Sequence, residues 1–498
     1  MKYTLLTGAT GLLGAYLLYD LLCDGVRCAV LVRSSRLESA RQRIEALMAR
    51  FEKNTGKVCP RPVILEGDLS ENLGLDETRT RWMREHCDRV LHNAASLSFE
   101  HEKDTDEPYR SNVAGLRHVL DFCKKTGIQN FHHVSTAYVC GLRKGVCLET
   151  ELDVGQEYGN AYEISKVQGE KMVLEAGFRV PPTFYRPAII TGDSRDGYTS
   201  TYHGFYTPLK VVAALVTSVA ETSDSLNLVR GLGLDGEEHK NFVPVEWVSQ
   251  AIVRLMRNPA NLGKTFHLTP RNRVKIQEMY EAFTLAFFMY VQKHQAELEK
   301  KTKRTVRGIN WTSMLNSFRE QMKVYQSYWR DDPIFDSINT QRALPDLPCP
   351  EMNAEVLLRL SLFALEANFG WPKPRPFQPA MNVEENLSVK PGFQSFLNPA
   401  EKRFGLQVNG EGGGQWTVHY SGEMADARVS AITESLPAED FPLLYMNSRT
   451  FAAMKEHRLS PEDAIQAGAV VWCSPDSAET AVPHAAEVAA VVRRLFSF

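Results

Sequence analysis

The chain has 498 residues, of which 43% are hydrophobic and 23% charged, and a formal net charge of −3. This is the composition of a soluble globular protein, and with no long basic run it excludes nucleic acid or an anionic membrane surface as the expected partner. No stretch reaches the roughly 18 apolar residues of an integral membrane span, and the nine cysteines form neither CxxC pairs nor His/Cys clusters at metal-ligand spacing. No metal site and a reducing, cytoplasmic setting are therefore expected. At ~150 residues per domain the length predicts two to four domains.

The first element is a short apolar run (Tyr3, Leu5, Leu6) that meets Gly8, Gly11 and Gly14 and passes into an apolar helix pattern from Leu12. A strand, a tight turn and a helix start are what a dinucleotide pyrophosphate needs. Gly8 permits the sharp turn, Gly11 lets the backbone approach the phosphates, and Gly14 allows close packing of helix on strand. Cys28 to Val32 is a second, continuously apolar strand, as a buried parallel strand should be. It ends at Arg33, followed by Ser34, Ser35 and Arg36. A cation with small hydroxyls suits a 2′-phosphate, so Arg33 argues for NADP, with NAD left open.

A charged helix is predicted over 37–52, and a third strand over 62–65 leads to Gly67, Asp68 and Leu69, where the carboxylate can accept from an adenine amino group. A fourth strand, 89–96, stops in Ala94, Ala95 and Ser96, whose small side chains let the chain pass close to a cofactor. A helix then contains Asn112 to Gly115, and a fifth strand, Phe131 to Val134, delivers Ser135 and Thr136. Five strands alternating with helices predict an α/β fold with a doubly wound parallel Rossmann sheet, its ligand lying across the carboxyl ends of the strands. If the stretch Asn160 to Lys166 is helical, Tyr162 and Lys166 stand one turn apart on one face. A cation beside the phenol, joined by the positive nicotinamide ring, favours phenolate and draws the tyrosine toward acid/base work near neutrality, while Thr136 or Ser135 supplies a hydroxyl to orient a carbonyl.

In combination these motifs resemble an extended short-chain dehydrogenase/reductase over residues 1–270: TGATGLLG at 7–14, GDL at 67–69, HNAA at 92–95, VSTAYVCG at 134–141, YxxxK at 162–166 and YRPAIITGDS at 185–194. Within that superfamily the likeness is to thioester, carboxylic acid and fatty acyl reductases, through LVR at 31–33, HVSTAY at 133–138, RPAIITGDSRDG at 186–197 and NFVPVEWVSQAI at 241–252. The resemblance implies Thr136, Tyr162 and Lys166 as the catalytic set, Thr136 being preferred to Ser135 because it precedes Gly141 by five residues. It implies a cofactor site of Gly8, Thr10, Gly11, Leu12, Leu13, Gly14, Arg33, Asp68, Leu69, Ala94, Ala95, Tyr162, Lys166 and Pro187. On the substrate side it implies Ser96, Ser135, Tyr202, His203 and Tyr206, with a structural histidine as the alternative for His203.

From Leu209 to Val219 an apolar helix is predicted, and from Val274 to Gln292 another, dense enough in apolar residues to be buried on most sides; a charged helix end follows over 293–307. Trp311–Trp329 and Asn353–Phe369 read as further amphipathic helices. Residues 271–376 resemble the helical cap of acyl reductases through YWRDDPIFD at 328–336 and NFGW at 368–371, a substrate region beside the cleft. Pro372, Pro374 and Pro376 mark a linker. Residues 377–498 hold short strands (Gln415–Tyr420, Ala427–Ile432) and helices at 448–456 and 460–467, each opening on a serine cap. Through GGGQWTVHY, YMNSRTFAAM and LSPEDAIQAGAV they resemble a sterol carrier protein type two domain, an α+β lipid-carrier fold. The resemblances imply an NADPH-dependent reductase taking an acyl thioester, from a carrier protein or coenzyme A, to aldehyde or alcohol. The alternative is an NAD(P)-dependent dehydrogenase of a sterol or other lipid hydroxyl or ketone, and a third reading is a lipid-binding module.

Overall fold

A computed structural model of the chain describes residues 2–56, 59–216, 235–305, 328, 330–372, 382–389, 391, 402–410, 412–434, 442–473 and 484–496. Its centre is a sheet of seven strands: β1 (Tyr3–Thr7), β2 (Cys28–Val32), β3 (Val63–Glu66), β4 (Cys87–His92), β5 (Asn130–Val134), β6 (Thr183–Pro187) and β7 (Thr265–Leu268). They lie in the order β7-β6-β5-β4-β1-β2-β3, every pair parallel. β1 and β2 are buried at all five positions because helices cover both faces, the condition that makes a parallel strand read as an unbroken apolar run. β6 and β7, absent from the sequence expectation, read TFYRP and TFHL, and their polar residues break that run. The order reverses between β1 and β4, which opens a crevice at the carboxyl ends of these strands.

Helix α1 (Leu12–Cys23) follows β1 directly. Helix α2 (Ala40–Thr55) starts three residues later than expected because Ser39 and Gln42 form a reciprocal capping box, and it ends at Gly56 in the left-handed region. The helix Ala161–Glu175 is tied to β6 by a buried bidentate pair: Arg186 donates to Glu170 Oε1 at 2.9 Å and to Oε2 at 2.7 Å.

On β4 and β5, His92 and His133 stack with ring centroids 5.5 Å apart, and neither nitrogen of buried His133 has a hydrogen-bond partner. Burial holds the His133 imidazole well below its ordinary value, so it folds neutral. The unfolded chain binds a proton there near pH 6.5 and the folded chain does not, so below that pH this residue makes stability fall. Compared by denaturant unfolding, His133→Phe should gain on the parent protein by about 1.4 kcal/mol per pH unit below 6.5. Parallel pH profiles for the two proteins would refute this.

A second cluster takes side chains from both sides of residue 270: Phe205, Leu209 and Phe242 pack with Met279 and Phe283 of the helix Ile276–Thr305 and with Leu357 and Leu360 of the helix Ala354–Glu366. The helix from Ile276 is not buried on most sides, for Leu285, Phe288 and Met289 are exposed. It packs through one face, chiefly against Ala354–Glu366, and apolar density alone does not reveal that the other face is left to solvent. The expected helix Trp311–Trp329 lies, but for Tyr328, outside the described residues, as does the linker beyond Pro372. Downstream, Ile334–Phe335 pairs with Val146–Cys147, and Asp332 N donates to His239 O at 2.9 Å, which returns this segment to the mouth of the crevice.

The C-terminal residues form their own α+β core. Strands β8 (Lys402–Asn409), β9 (Gly414–Ser421), β10 (Arg428–Glu434), β11 (Leu443–Asn447) and β12 (Val470–Cys473) lie in the order β10-β9-β8-β11-β12, only β8 and β11 pairing in parallel. Phe404, Trp416, Phe451 and Phe496 fill the space between the sheet and its helices. Ser460 caps its helix as expected, but the helix at Ser448 is capped one residue earlier, by Asn447, which accepts from Thr450 N at 2.8 Å. Six of the nine cysteines are buried; Cys349 is half-buried, and Cys23 and Cys473 are exposed. Among the described residues no helix is long and apolar enough to cross a membrane, and no group of His, Cys, Asp or Glu could hold a metal ion.

Candidate active site

The site grows from the end of β1. Thr7 Oγ1 accepts from Asn93 N and Ala94 N, each at 3.2 Å, drawing the ends of β1 and β4 together. Gly8 turns the chain with φ +72°, where a Cβ would stand 2.7 Å from Ala94 Cα. A Cβ on Gly14 would lie 1.9 Å from Gly8 O, so helix and turn touch backbone to backbone. At Gly11 the nearest atom to a Cβ is Gly8 O at 3.5 Å; the rest of its surroundings is open, and a side chain there would project into the crevice. α1 begins at Gly11 with no side-chain cap, which leaves its first N–H groups and the positive end of its dipole to an anion.

The crevice is a cavity of about 700 Å³. Gly8, Thr10, Gly11, Leu12, Leu13, Gly14, Arg33, Asp68, Leu69, Ala94, Ala95, Tyr162, Lys166 and Pro187 all line it, as do Ser135, Thr136 and His203. At one end Arg33, largely exposed, stands 3.5 Å from Asp68 Oδ2. Beside it lies Arg43, which donates to Arg33 O at 2.6 Å and to Thr10 Oγ1 at 2.9 Å. Burial and the neighbouring Arg33 hold the Arg43 guanidinium below its usual value, an arrangement that an anion would relieve.

At the other end Thr136 hydrogen bonds to Tyr162, and Lys166 Nζ donates to Val134 O at 2.8 Å. Burial lowers the Lys166 ammonium to about 8, with Glu170 acting in the opposite sense. Desolvation raises the Tyr162 phenol above its ordinary value, and only the bond to Thr136 pulls it back. Among the chain's own groups Lys166 does not draw this phenol toward neutrality; the expectation paired the ammonium with the positive nicotinamide ring. The ammonium is committed to the end of β5, and desolvation decides the titration of the tyrosine. Ser135 Oγ is buried at the cavity wall without a hydrogen-bond partner, a hydroxyl left for a ligand.

Three of the substrate-side candidates stand away from the cavity lining. Ser96 does not line the cavity; its N–H and C=O are pinned to the Asn112 side chain at 2.8 and 3.1 Å. Tyr206 is buried in the second cluster, its hydroxyl accepting from Gly192 N at 2.8 Å. Tyr202 packs edge-on to Tyr206 and Phe369, at 5.6 and 5.9 Å. His203 is exposed at the rim of the cavity. Sequence reasoning missed Arg43, and it missed Phe99, Tyr138 and Tyr328. Phe99 meets Tyr162 edge-on at 5.8 Å, Tyr328 packs on Phe99 and Tyr138 at 5.2 and 5.3 Å, and Tyr138 donates to Asp332 Oδ2 at 2.6 Å. Tyr138 lay within the quoted HVSTAY motif and Tyr328 opens the quoted YWRDDPIFD, while Arg43 sits in the first turn of a capped helix.

A glycine-turn cradle continuous with Thr136, Tyr162 and Lys166 on a seven-stranded parallel sheet defines the class: the chain is an NAD(P)-binding oxidoreductase of the short-chain dehydrogenase/reductase type. Residues 6–252 match the model of the Male sterility protein family, an NAD-binding family. Over 388 residues the chain is 24% identical to the non-canonical nonribosomal peptide synthetase hkm10 of Aspergillus hancockii, an alignment covering 71% of this chain and 35% of that protein. It is 24% identical over 380 residues to the aldehyde reductase lnaA of Aspergillus flavus, covering 69% of this chain and 34% of the relative. The chain thus spans about a third of the length of these curated relatives. The crystal structure of the terminal R domain from the myxalamid PKS-NRPS biosynthetic pathway matches with TM-score 0.56 and 27% identity, over 75% of this chain and 92% of that one.

Proposed function

We propose that this chain uses NADPH to reduce an acyl thioester, carried on a carrier protein or coenzyme A, to an aldehyde or alcohol. The observation that carries the reading is the single cavity joining the glycine turn to Thr136, Tyr162 and Lys166. The likeness to a terminal R domain supports a carrier-bound thioester, and the paired Arg33 and Arg43 support NADP over NAD.

The residues present fit the cofactor. Gly8, Gly11 and Gly14 leave room for a pyrophosphate at the start of α1, and Arg33, Arg43 and Thr10 would hold a ribose phosphate. Bound NADPH supplies a hydride. Tyr162 holds its proton on the phenol oxygen at neutral pH and would deliver it to the oxygen of the substrate carbonyl as charge develops there, giving a hemithioacetal whose C–S bond then breaks to release the carrier or coenzyme A thiol and the aldehyde; the alcohol takes a second hydride and proton. Thr136 orients that phenol, and the free hydroxyl of Ser135 is a second donor to the same region. The rings of Phe99, Tyr138 and Tyr328 keep water from the phenol.

The test is nicotinamide oxidation with a panel of acyl-coenzyme A and carrier-bound acyl thioesters, each with NADPH and NADH. Turnover with thioesters, faster with NADPH, is the expected result. Turnover with sterols or simple alcohols and none with any thioester would overturn it. For the C-terminal domain the reading is a lipid carrier of the sterol carrier protein type two kind, supported by its sequence motifs and its α+β architecture. Native mass spectrometry finding no bound lipid in the purified chain would count against it.

A further inference from the structure

Helix α2 is held from two sides at once. Arg41, Glu45 and Glu52 project from one face and Arg43 and Arg50 from the opposite one, as spacings of four, eleven and seven residues require. On the first face Arg41 Nη1 donates to Gln415 O at 2.9 Å, and its guanidinium lies 5.0 Å from the centre of the Trp416 ring. Gly410 N donates to Glu45 Oε2 at 3.2 Å, and buried Glu45 is fixed by Arg61 Nε at 3.0 Å, whose Nη1 also reaches Glu52 at 2.6 Å. The strand edge that receives Arg41 is shaped for it: a Cβ on Gly414 would stand 2.5 Å from Arg41 Nη1. All these partners, Gly410, Gly414, Gln415 and Trp416, belong to the C-terminal domain. On the opposite face of the same first turn, Arg43 reaches Arg33 O and Thr10 Oγ1 at the cavity wall.

Two arginines in a first turn that holds no acidic residue oppose the helix dipole, and helix ends fray. The Ser39–Gln42 capping box closes that turn, and on the face away from the cavity the C-terminal strand edge fixes how it is rolled. We propose that the C-terminal domain is a brace for cofactor binding: by docking on Arg41 and Glu45 it holds the first turn of α2 so that Arg43 faces the ribose phosphate of the cofactor. Arg41 and Glu45 are thereby positioning residues for cofactor specificity, and the phosphate grip in the reductase half depends on the fused domain. Charge-assisted hydrogen bonds weaken steeply with displacement, so a small roll of α2 is enough to lose this grip. The inference rests on the reading of Arg33 and Arg43 as the residues that hold the phosphate of NADPH.

The experiment is calorimetric binding of 2′,5′-ADP and of 5′-AMP to the full chain. The parent protein should bind 2′,5′-ADP more tightly than 5′-AMP, and Arg43→Ala should abolish the difference. Arg41→Ala and Gly414→Ala should each weaken 2′,5′-ADP about fivefold, the lower end of coupling between sites, and leave 5′-AMP unchanged. Arg41→Lys should recover part of the loss, and Arg41→Ala added to Arg43→Ala should change nothing further. If Arg43→Ala abolishes the preference while Arg41→Ala and Gly414→Ala keep it, the brace is overturned and the phosphate site stands. If the parent protein does not distinguish the two nucleotides, both fall.

Discussion

Tyr162→Phe should bind NADPH as the parent protein does and lose turnover by about 10²–10⁴-fold, the range a positioned proton donor contributes. The size follows from the site. Burial raises the phenol above its ordinary value, so Tyr162 is neutral at working pH and carries the proton that the substrate oxygen needs. A phenyl ring keeps the edge-on packing against Phe99, so the cavity survives while the donor is lost. The alkaline limb of kcat/KM should lie near pH 8 and belong to Lys166, whose ammonium burial lowers to about 8. The residual activity of Tyr162→Phe should keep that limb. A variant with full turnover would remove Tyr162 from the chemistry, and a limb that moved with the mutation would assign it to the phenol.

Glu170→Gln should destabilise the protein by about 3–5 kcal/mol, the cost of leaving one member of a buried ion pair uncompensated. Arg186 and Glu170 side chains are 3% and 1% exposed, and the guanidinium keeps only the carbonyls of Glu149 and Glu151 once the carboxylate is neutralised. The same substitution reaches the chemistry, because Glu170 is the group that holds the Lys166 ammonium up against desolvation. Its loss should move the alkaline limb below pH 8. Denaturant unfolding and a pH profile read the two effects separately. Parent-like stability would show that the backbone carbonyls suffice for Arg186, and an unmoved limb would show that Glu170 does not act on Lys166.

Much of the site is legible along the chain because its signals are local. A glycine with φ +72°, a helix packed backbone to backbone on a turn, and a tyrosine and lysine one turn apart all depend on neighbours within a few residues. Substrate contacts are less legible. The aromatic run Tyr198 to Tyr206 fits a binding wall or a packed core equally well by composition; Tyr206 is core, its hydroxyl accepting from Gly192 N, and half-buried Tyr202 packs against that core. At Ser96 the backbone N–H and C=O are held by the Asn112 side chain, a long-range contact that no local pattern announces.

By itself the sequence determined the parallel sheet's first five strands, the cradle at Gly8, Gly11 and Gly14, and the placing of Tyr162 and Lys166 one helical turn apart, since short-range backbone geometry and side-chain periodicity decide these. Only the tertiary structure decided how Tyr162 titrates, because desolvation depends on every residue packed around the phenol. The same holds for the return of Tyr328 and Asp332 to Tyr138 from more than 180 residues along the chain. It holds too for the docking of Trp416 on Arg41, a contact between two separately formed cores that no periodicity within either one encodes.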